Sequence, residues 1–394
     1  MSAERSIKGR VLLVLAASVQ QVPVIRRCIE LGARVITLDN RPDNPGHALA
    51  HRSYNVDIRD LQAVFDIAVK EKIDGVIAAA SDVAVETAAE IGARLGVIAP
   101  PVFATRALLS KLAFRETQQA MGLPTPQWSS DGSSPATGPW IVKPARASGS
   151  RGIRIVRDKG ELSRVQGIAQ AASLDGAAIV EAVLDGSQHT VEGWMQDGKI
   201  AAVMITDRLT AEAPLVATVG HRTPTHVSPA AQAEICRDLS RLFQHLGYST
   251  GPFDADVVMT RDGPVLLEAS TRTGGNGLMQ LVSAATGADV TQLLILHALN
   301  LLPALGAWNV GCAGVHVLGD PSGGRLVYNQ DAMPTLRAEP WLVELSLDLP
   351  SGSQVPAFTE GRDRYGHVVV TAKSPAELDG RLADVLARLE LAVE

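Results

Sequence analysis

At 394 residues, with 46% apolar and 20% charged residues and a formal net charge of −6, the chain has room for two or three domains around a sizeable core. The mild acidity argues against nucleic acid as a partner, and three scattered cysteines (Cys28, Cys236, Cys312) form neither a disulfide framework nor a zinc pattern. A polar start and the lack of any run of roughly 18 apolar residues predict no signal peptide and no membrane span, so a reduced, cytoplasmic protein is expected.

The first hundred residues alternate. Residues 11–16 read as a buried strand, 22–30 as a helix, 34–38 as a strand ending at Asp39, 61–70 as a helix, 75–80 as a strand and 81–95 as a helix. That order predicts an α/β fold beginning with a parallel βαβ domain. The first turn, Ala16-Ala17-Ser18, lacks the glycines that admit a pyrophosphate, so a nicotinamide site is not expected. Asp39 is read as a strand-end or substrate-side polar group. After Ala99-Pro100-Pro101, Thr105 is expected to cap a helix carrying Leu108, Leu109, Leu112 and Phe114. Lys111 on that helix is, by itself, a surface lysine.

Residues 140–156 combine a strand, a lysine and a small-residue loop. Pro144 keeps Lys143 in extended backbone. Ser148, Gly149, Ser150 and Gly152 follow, and strand alternation resumes at Ile153. Glycines let main-chain N–H groups approach phosphate oxygens, although a loop of this composition alone is equally an ordinary flexible hairpin tip.

Helix is predicted over 161–172, and an apolar strand over 178–183 contains Glu181, which needs a ligand or a cation if buried. An antiparallel meander over 189–206 starts at His189. Residues 209–222 show little periodicity and are read as a mobile segment over a site. An amphipathic helix spans 229–247.

Two strand patterns then flank Asp262-Gly263. A turn centred on Asp262 sets Asp256 opposite Glu268 and Asp254 opposite Ser270, with opposed Cβ atoms roughly 4.5–5.5 Å apart. Paired carboxylates on one face suit a hard divalent cation that also binds phosphate. A register slipped by one residue, or a solvated sheet edge, is the alternative. Arg272 falls on the same face, suited to bind a phosphate or carboxylate bidentately. The donor-rich loop Gly274-Gly275-Asn276-Gly277 leads into a helix over 278–285. From about residue 306 the chain reads as a small α+β region without a dense polar cluster, a packing or oligomerising appendage. Its His316 and His367 are read as structural.

Together these features resemble the ATP-grasp family, in its biotin-carboxylase-like branch, and are most similar to its carboxylate–amine (L-amino acid) ligases. Leu267-Glu268-Ala269-Ser270-Thr271-Arg272 stands where the family has Glu-x-Asn-x-Arg. The resemblance implies an N-terminal domain over 1–103, an ATP-grasp α+β domain in two subdomains over 104–300 with a phosphate cover at about 125–185, and a C-terminal α+β domain over 301–394. It implies that ATP is bound by Lys111, Lys143, the 148–152 loop, Glu181 and His189. Mg²⁺, with Mn²⁺ as an alternative, would be held by Asp256, Glu268 and Ser270. Substrate would meet Arg272, Gly274, Gly275 and Asn276, and Arg272 and Lys143 would serve catalysis. A homodimer acting on small molecules is expected, forming an amide bond through an acyl-phosphate. Ser270 departs from the family's asparagine, and Gln188 from an acidic residue. Asn276 stands where biotin carboxylases carry a glutamate, which argues against carboxylation. An N-carboxylating enzyme and a non-catalytic nucleotide-binding module are the competing readings.

Overall fold

The structure is a computed structural model, described here for residues 6–131, 133–134, 138–211 and 217–394. Its first sheet is parallel, ordered Arg52–Asn55, Arg34–Asp39, Val11–Leu15, Gly75–Ala78. Successive residues of Val11–Leu15 point to opposite faces. Leu13 and Leu15 join Ile36, Leu38, Val64 and Ile91 in one core, while Leu12 and Val14 join Val24, Ile25 and Cys28 in another. Burial on both faces is what a parallel sheet requires. The edge strand Arg52–Asn55 and the short helix Pro45–Leu49 carry too little apolar pattern to be read from sequence. Cys28 is fully buried, and burial pushes its thiol up to about 12, so it is inert.

Where one helix was expected from Thr105 there are two, Val102–Leu109 and Lys111–Ala120. Ser110 breaks the run in extended backbone and caps the second helix by accepting from the Ala113 N–H at 3.4 Å. Thr105 instead bonds Thr271 at 3.2 Å. The break sets Lys111 at the first position of a helix, facing inward and only 7% exposed.

A small antiparallel sheet, ordered Trp128–Ser129, Ala178–Ala182, Trp140–Pro144, Arg154–Val156, carries the glycine loop. Trp140, Val142, Val156 and Val180 pack on the helix Leu162–Ala172. The register pairs Ile141 with Glu181 and Lys143 with Ile179, which puts Lys143 and Glu181 on the other face.

Besides a three-stranded sheet ordered Gln354–Val355, Gly324–Val327, Ala392–Val393, there is an eight-stranded sheet, running Gly263–Ser270, Gly251–Thr260, Ser187–Gln196, Lys199–Thr210, Thr218–Thr223, Cys312–Leu318, Gly366–Ala372, Leu342–Leu347. It continues without interruption across residue 300, because Thr218–Thr223 pairs with Cys312–Leu318. In the segment expected to be mobile over 209–222, the described residues are mostly strand, and residues 212–216 lie outside the described residues. No single described helix is long and apolar enough to cross a membrane. The apolar pair Leu278–Thr286 and Val290–Ala298 bends by 108° and packs into the core.

Candidate active site

Two cavities, of about 570 and 150 Å³, share Asp82, Arg208, Asp254, Asp256, Glu268 and Arg272 as a common wall. The smaller is lined by Lys111, Lys143, Ser148, Gly149, Ser150 and Ser270. The larger is walled by the N-terminal domain (Gln20, Asp39, Asn40, Asp57), by Gly275 and Asn276, and by Glu360, Gly361 and Arg362. The sites expected from sequence thus converge, with four exceptions, one of which is Gly274, which lines neither cavity. Gly152 packs at the loop's base, where a Cβ would lie 2.7 Å from the Ala172 Cβ. His189 and Glu181 lie outside both cavities.

Glu181 is 1% exposed and sits beneath the smaller cavity. Arg115 Nε donates to its Oε1 at 2.7 Å and Lys143 Nζ pairs with its Oε2 at 2.6 Å. Burial alone would raise this carboxyl, but Lys143 and Arg115 outweigh it and hold it down at about 2. The cation that Glu181 needs is supplied by the protein, in Lys143 and Arg115. His189 lies on the strand face opposite Thr190. Its Nε2 bonds Ser187 Oγ at 2.7 Å and its Nδ1 lies 3.1 Å from Asp207, with burial pushing its pKa down.

Asp256 and Glu268 are direct cross-strand partners, as are Asp254 and Ser270. Thr190 Oγ1 donates to Asp256 at 2.6 Å and Arg208 forms an ion pair with its other oxygen. Glu268, 48% exposed towards the cavities, pairs with Lys111 Nζ at 3.5 Å. Burial would raise Glu268, yet Lys111 and Arg208 hold it at about 2. Ser270 Oγ is buried without a hydrogen-bond partner on the same face. Two opposed carboxylates beside an orphaned hydroxyl make an all-oxygen donor set, which fits a hard divalent cation. Among the described residues no cluster of three or more His, Cys, Asp or Glu could cage a metal alone, so such an ion would complete its shell with phosphate oxygens.

Arg272 is held between Asp82 and Asp254. Its Nη2 and Nε lie 2.7 and 2.8 Å from Asp82 Oδ1, and its Nη1 lies 3.2 Å from Asp254. Burial lowers its pKa, but Asp82 and Asp254 reverse this and raise it. Gly274 N–H donates to Glu192 Oε1 at 2.9 Å, and Asn276 N–H to Gln20 Oε1 at 3.0 Å. A Cβ on Gly274 would lie 2.2 Å from Glu192 Oε1 and 2.8 Å from Asp254 Oδ2, so a side chain here would displace both carboxylates. Asp39 accepts from the Ala17 and Arg41 N–H groups, both at 2.9 Å, while lining the larger cavity.

Several site residues escaped the sequence reading. Arg115 and Arg208 carry no motif, and their partners Glu181 and Asp256 lie far along the chain. Glu192, buried within an apolar strand, bore the same signal that singled out Glu181. The C-terminal region is more than an appendage. It supplies a wall of the larger cavity and holds a polar cluster in which Arg364 bonds His367 at 3.0 Å and Asp348 at 3.2 Å.

Residues 136–280 match the model of the ATP-grasp domain, and residues 323–394 match that of L-amino acid ligase C-terminal domain 2. The chain thus carries an ATP-grasp domain and, after it, a C-terminal domain of the L-amino acid ligase type, the pairing of an ATP-grasp ligase. Formate-dependent phosphoribosylglycinamide formyltransferase of Parabacteroides distasonis is 26% identical over 290 residues, covering 69% of this chain and 70% of that protein. Carnosine synthase 1 of Mus musculus is 24% identical over 270 residues, 63% of this chain but 31% of that protein. The fold is similar to that of L-amino acid ligase from Bacillus licheniformis, with a TM-score of 0.82 at 16% identity over 98% of this chain and 99% of that one. ATP-grasp enzymes use ATP with Mg²⁺.

Proposed function

We propose that this enzyme joins two amino-acid-like substrates, a carboxylate and an amine, releasing ADP and phosphate. The observation that carries the reading is the junction of the two cavities. A narrow cleft with two lysines and a glycine loop suits nucleotide phosphates, and it meets a polar chamber of about 570 Å³, large enough for a pair of small substrates. The shared wall holds the opposed carboxylates and Arg272, where phosphoryl transfer would take place.

In this reading a substrate carboxylate oxygen displaces ADP at the γ-phosphorus. The amine nitrogen then attacks the acyl carbon, a C–N bond forms, the C–O bond to phosphate breaks, and the nitrogen loses its protons to solvent or a neighbouring base. No side chain acts as a nucleophile, so catalysis is positioning and charge neutralisation. Lys111, Lys143 and the N–H groups of residues 148–150 hold ATP phosphates, and Glu181 fixes the Lys143 ammonium. Asp256 and Glu268, with Ser270, would hold Mg²⁺ or Mn²⁺, which when bound offsets negative charge on phosphate oxygens. Arg272 is pre-set by Asp82 and Asp254 beside the acyl-phosphate. Gly275 and Asn276 line the amine side, and Gly274 ties their loop to Glu192. The matched L-amino acid ligase C-terminal domain and the amino-acid ligase fold relative support amino acids as substrates.

The test is ADP release across amino-acid pairs, with formate and bicarbonate as separate carboxylate sources, followed by product mass. ADP formed only when carboxylate and amine are both present is expected, and Lys143→Ala should abolish it. Release driven by bicarbonate with a single amine would point instead to N-carboxylation. Tight Mg²⁺-dependent ATP binding without ADP from any mixture would favour the non-catalytic module.

A further inference from the structure

The C-terminal region reaches the glycine loop through a single main-chain contact. The short turn Gly361–Asp363 presents the Gly361 N–H to the Gly149 carbonyl at 2.8 Å. The two partners differ in how firmly each is held. Asp363 Oδ2 accepts from Thr359 N–H (3.1 Å), Thr359 Oγ1 (2.9 Å) and Glu360 N–H (3.0 Å), and Glu360 forms an ion pair with Arg362. On either side, the Phe358 N–H bonds the Asp320 carbonyl at 2.7 Å and the Tyr365 N–H bonds the Leu318 carbonyl at 3.0 Å. The turn is thus fixed to the end of a central strand of the large sheet.

The loop's own main-chain bonds are longer. Gly149, Ser150 and Gly152 all adopt positive φ, at +66°, +60° and +70°. Its internal main-chain bonds are long, Arg151 N–H to Ser148 at 3.4 Å and Ile153 N–H to Ser150 at 3.3 Å. Arg146 and Arg151, cationic and beside the loop, are turned to other partners: Arg146 pairs with Glu86, and Arg151 Nη2 donates to the Ala172 carbonyl at 2.7 Å.

We propose that the Gly361 N–H is a positioning group: the 359–363 turn clasps the 148–152 loop shut over the nucleotide phosphates by holding the Gly149 carbonyl. This rests on the reading of that loop as a phosphate cover. The same turn faces the acceptor chamber. Glu360, Gly361 and Arg362 line it, and a Cβ on Gly361 would lie 3.8 Å from Asn276 Nδ2 and 3.4 Å from the Gly149 oxygen. The turn therefore bridges the phosphate loop and the 274–277 loop. Nearby, the ring of His367 packs under Gly277, where a Cβ would meet it at 2.6 Å. Occupancy of the chamber is felt at the clasp, which ties closure over ATP to the presence of the second substrate and limits wasteful hydrolysis.

Gly361→Pro deletes the donor while suiting the backbone, since position 361 opens the turn and Glu360 is already extended at φ −148°, ψ 163°. Gly361→Ala keeps the N–H and meets its nearest neighbour at an ordinary 3.4 Å. Asp363→Ala loosens the turn without touching residue 361, and carries the test if the proline variant does not fold. Hydrogen exchange of a peptide spanning 148–152 is measured with and without a non-hydrolysable ATP analogue and Mg²⁺, with the Gly366–Ala372 strand as the internal control for folding. Removing one hydrogen bond of about 1 kcal/mol should speed loop exchange about five-fold. Gly361→Pro and Asp363→Ala should show this, with a raised KM for ATP and more ADP released without the amine, and Asp363→Ala should largely keep kcat at saturating ATP. Gly361→Ala, which keeps the donor, should leave loop exchange at the wild-type rate. Loop exchange in both Gly361→Pro and Asp363→Ala equal to wild type would overturn the clasp. If the analogue fails to slow loop exchange in the wild type, the phosphate-cover reading fails instead, and the two failures are told apart in one experiment.

Discussion

Lys143 and Glu181 meet at 2.6 Å on the inner face of the small sheet, and Arg115 closes the other carboxylate oxygen at 2.7 Å. All three are buried, so the two cations depend on one anion. Removing one partner of a buried pair leaves charge uncompensated, at a cost of about 3–5 kcal/mol. Glu181→Gln should therefore destabilise the fold by an amount in that range and weaken ATP binding together. Urea unfolding and nucleotide titration check it, and a variant as stable as wild type would show that the triad is not cohesive.

Asp256 and Glu268 face each other across the hairpin. Glu268→Gln keeps the shape and removes a charge from the shared wall of the cavities. A fall in kcat of about 10²–10³ is expected, the size seen when one charge-stabilising group is lost, along with a higher Mg²⁺ concentration for half-maximal rate. A variant with full activity and an unchanged Mg²⁺ requirement would remove Glu268 from the site.

A side chain at Gly274 would crowd two buried carboxylates. The Cβ of Gly274→Ala would meet Glu192 Oε1 at 2.2 Å, and the loop must move away from both Glu192 and Asp254. Misplacement on the scale of 1 Å costs about 100-fold in rate. Steady-state kinetics should show kcat/KM falling by that order while the melting temperature changes little.

His297 packs edge-on against Trp194, with ring centroids 5.9 Å apart. Burial lowers its pKa from 6.5 to about 4. The folded state thus favours the neutral ring, and between these values the unfolded chain binds more protons. Stability from this group is complete above pH 6.5 and drains away as pH falls towards 4, by at most about 3 kcal/mol. Unfolding free energies at pH 7.5 and 4.5 should differ less in His297→Phe than in the wild type. Equal pH dependence would contradict the assignment.

The hairpin shows how far the sequence reaches. Alternating apolar residues and the Asp-Gly turn are local signals, and they put Asp256 opposite Glu268. The agreement has two compensating parts. The turn is one residue tighter than a centre at Asp262 implies, pairing Thr260 with Gly263, and a bulge at Leu267 restores the register. A bulge leaves no trace in hydrophobic alternation that a single sequence reveals. The break at Ser110 is similar, since helical spacing runs straight through it. Arg208 on Asp256, Arg272 on Asp82 and Gly361 on Gly149 are tertiary meetings between distant segments, and nothing local encodes them. The motif residues were legible because each sits beside its own turn or loop, whereas their partners become visible only when the sheets assemble.

The central claim is that a substrate carboxylate is activated as an acyl-phosphate before the amine attacks. It is tested most directly by supplying the carboxylate substrate labelled with ¹⁸O and reading the released inorganic phosphate by mass spectrometry. One ¹⁸O atom transferred to phosphate for each amide formed is the predicted result. Amide formed with unlabelled phosphate would contradict the account.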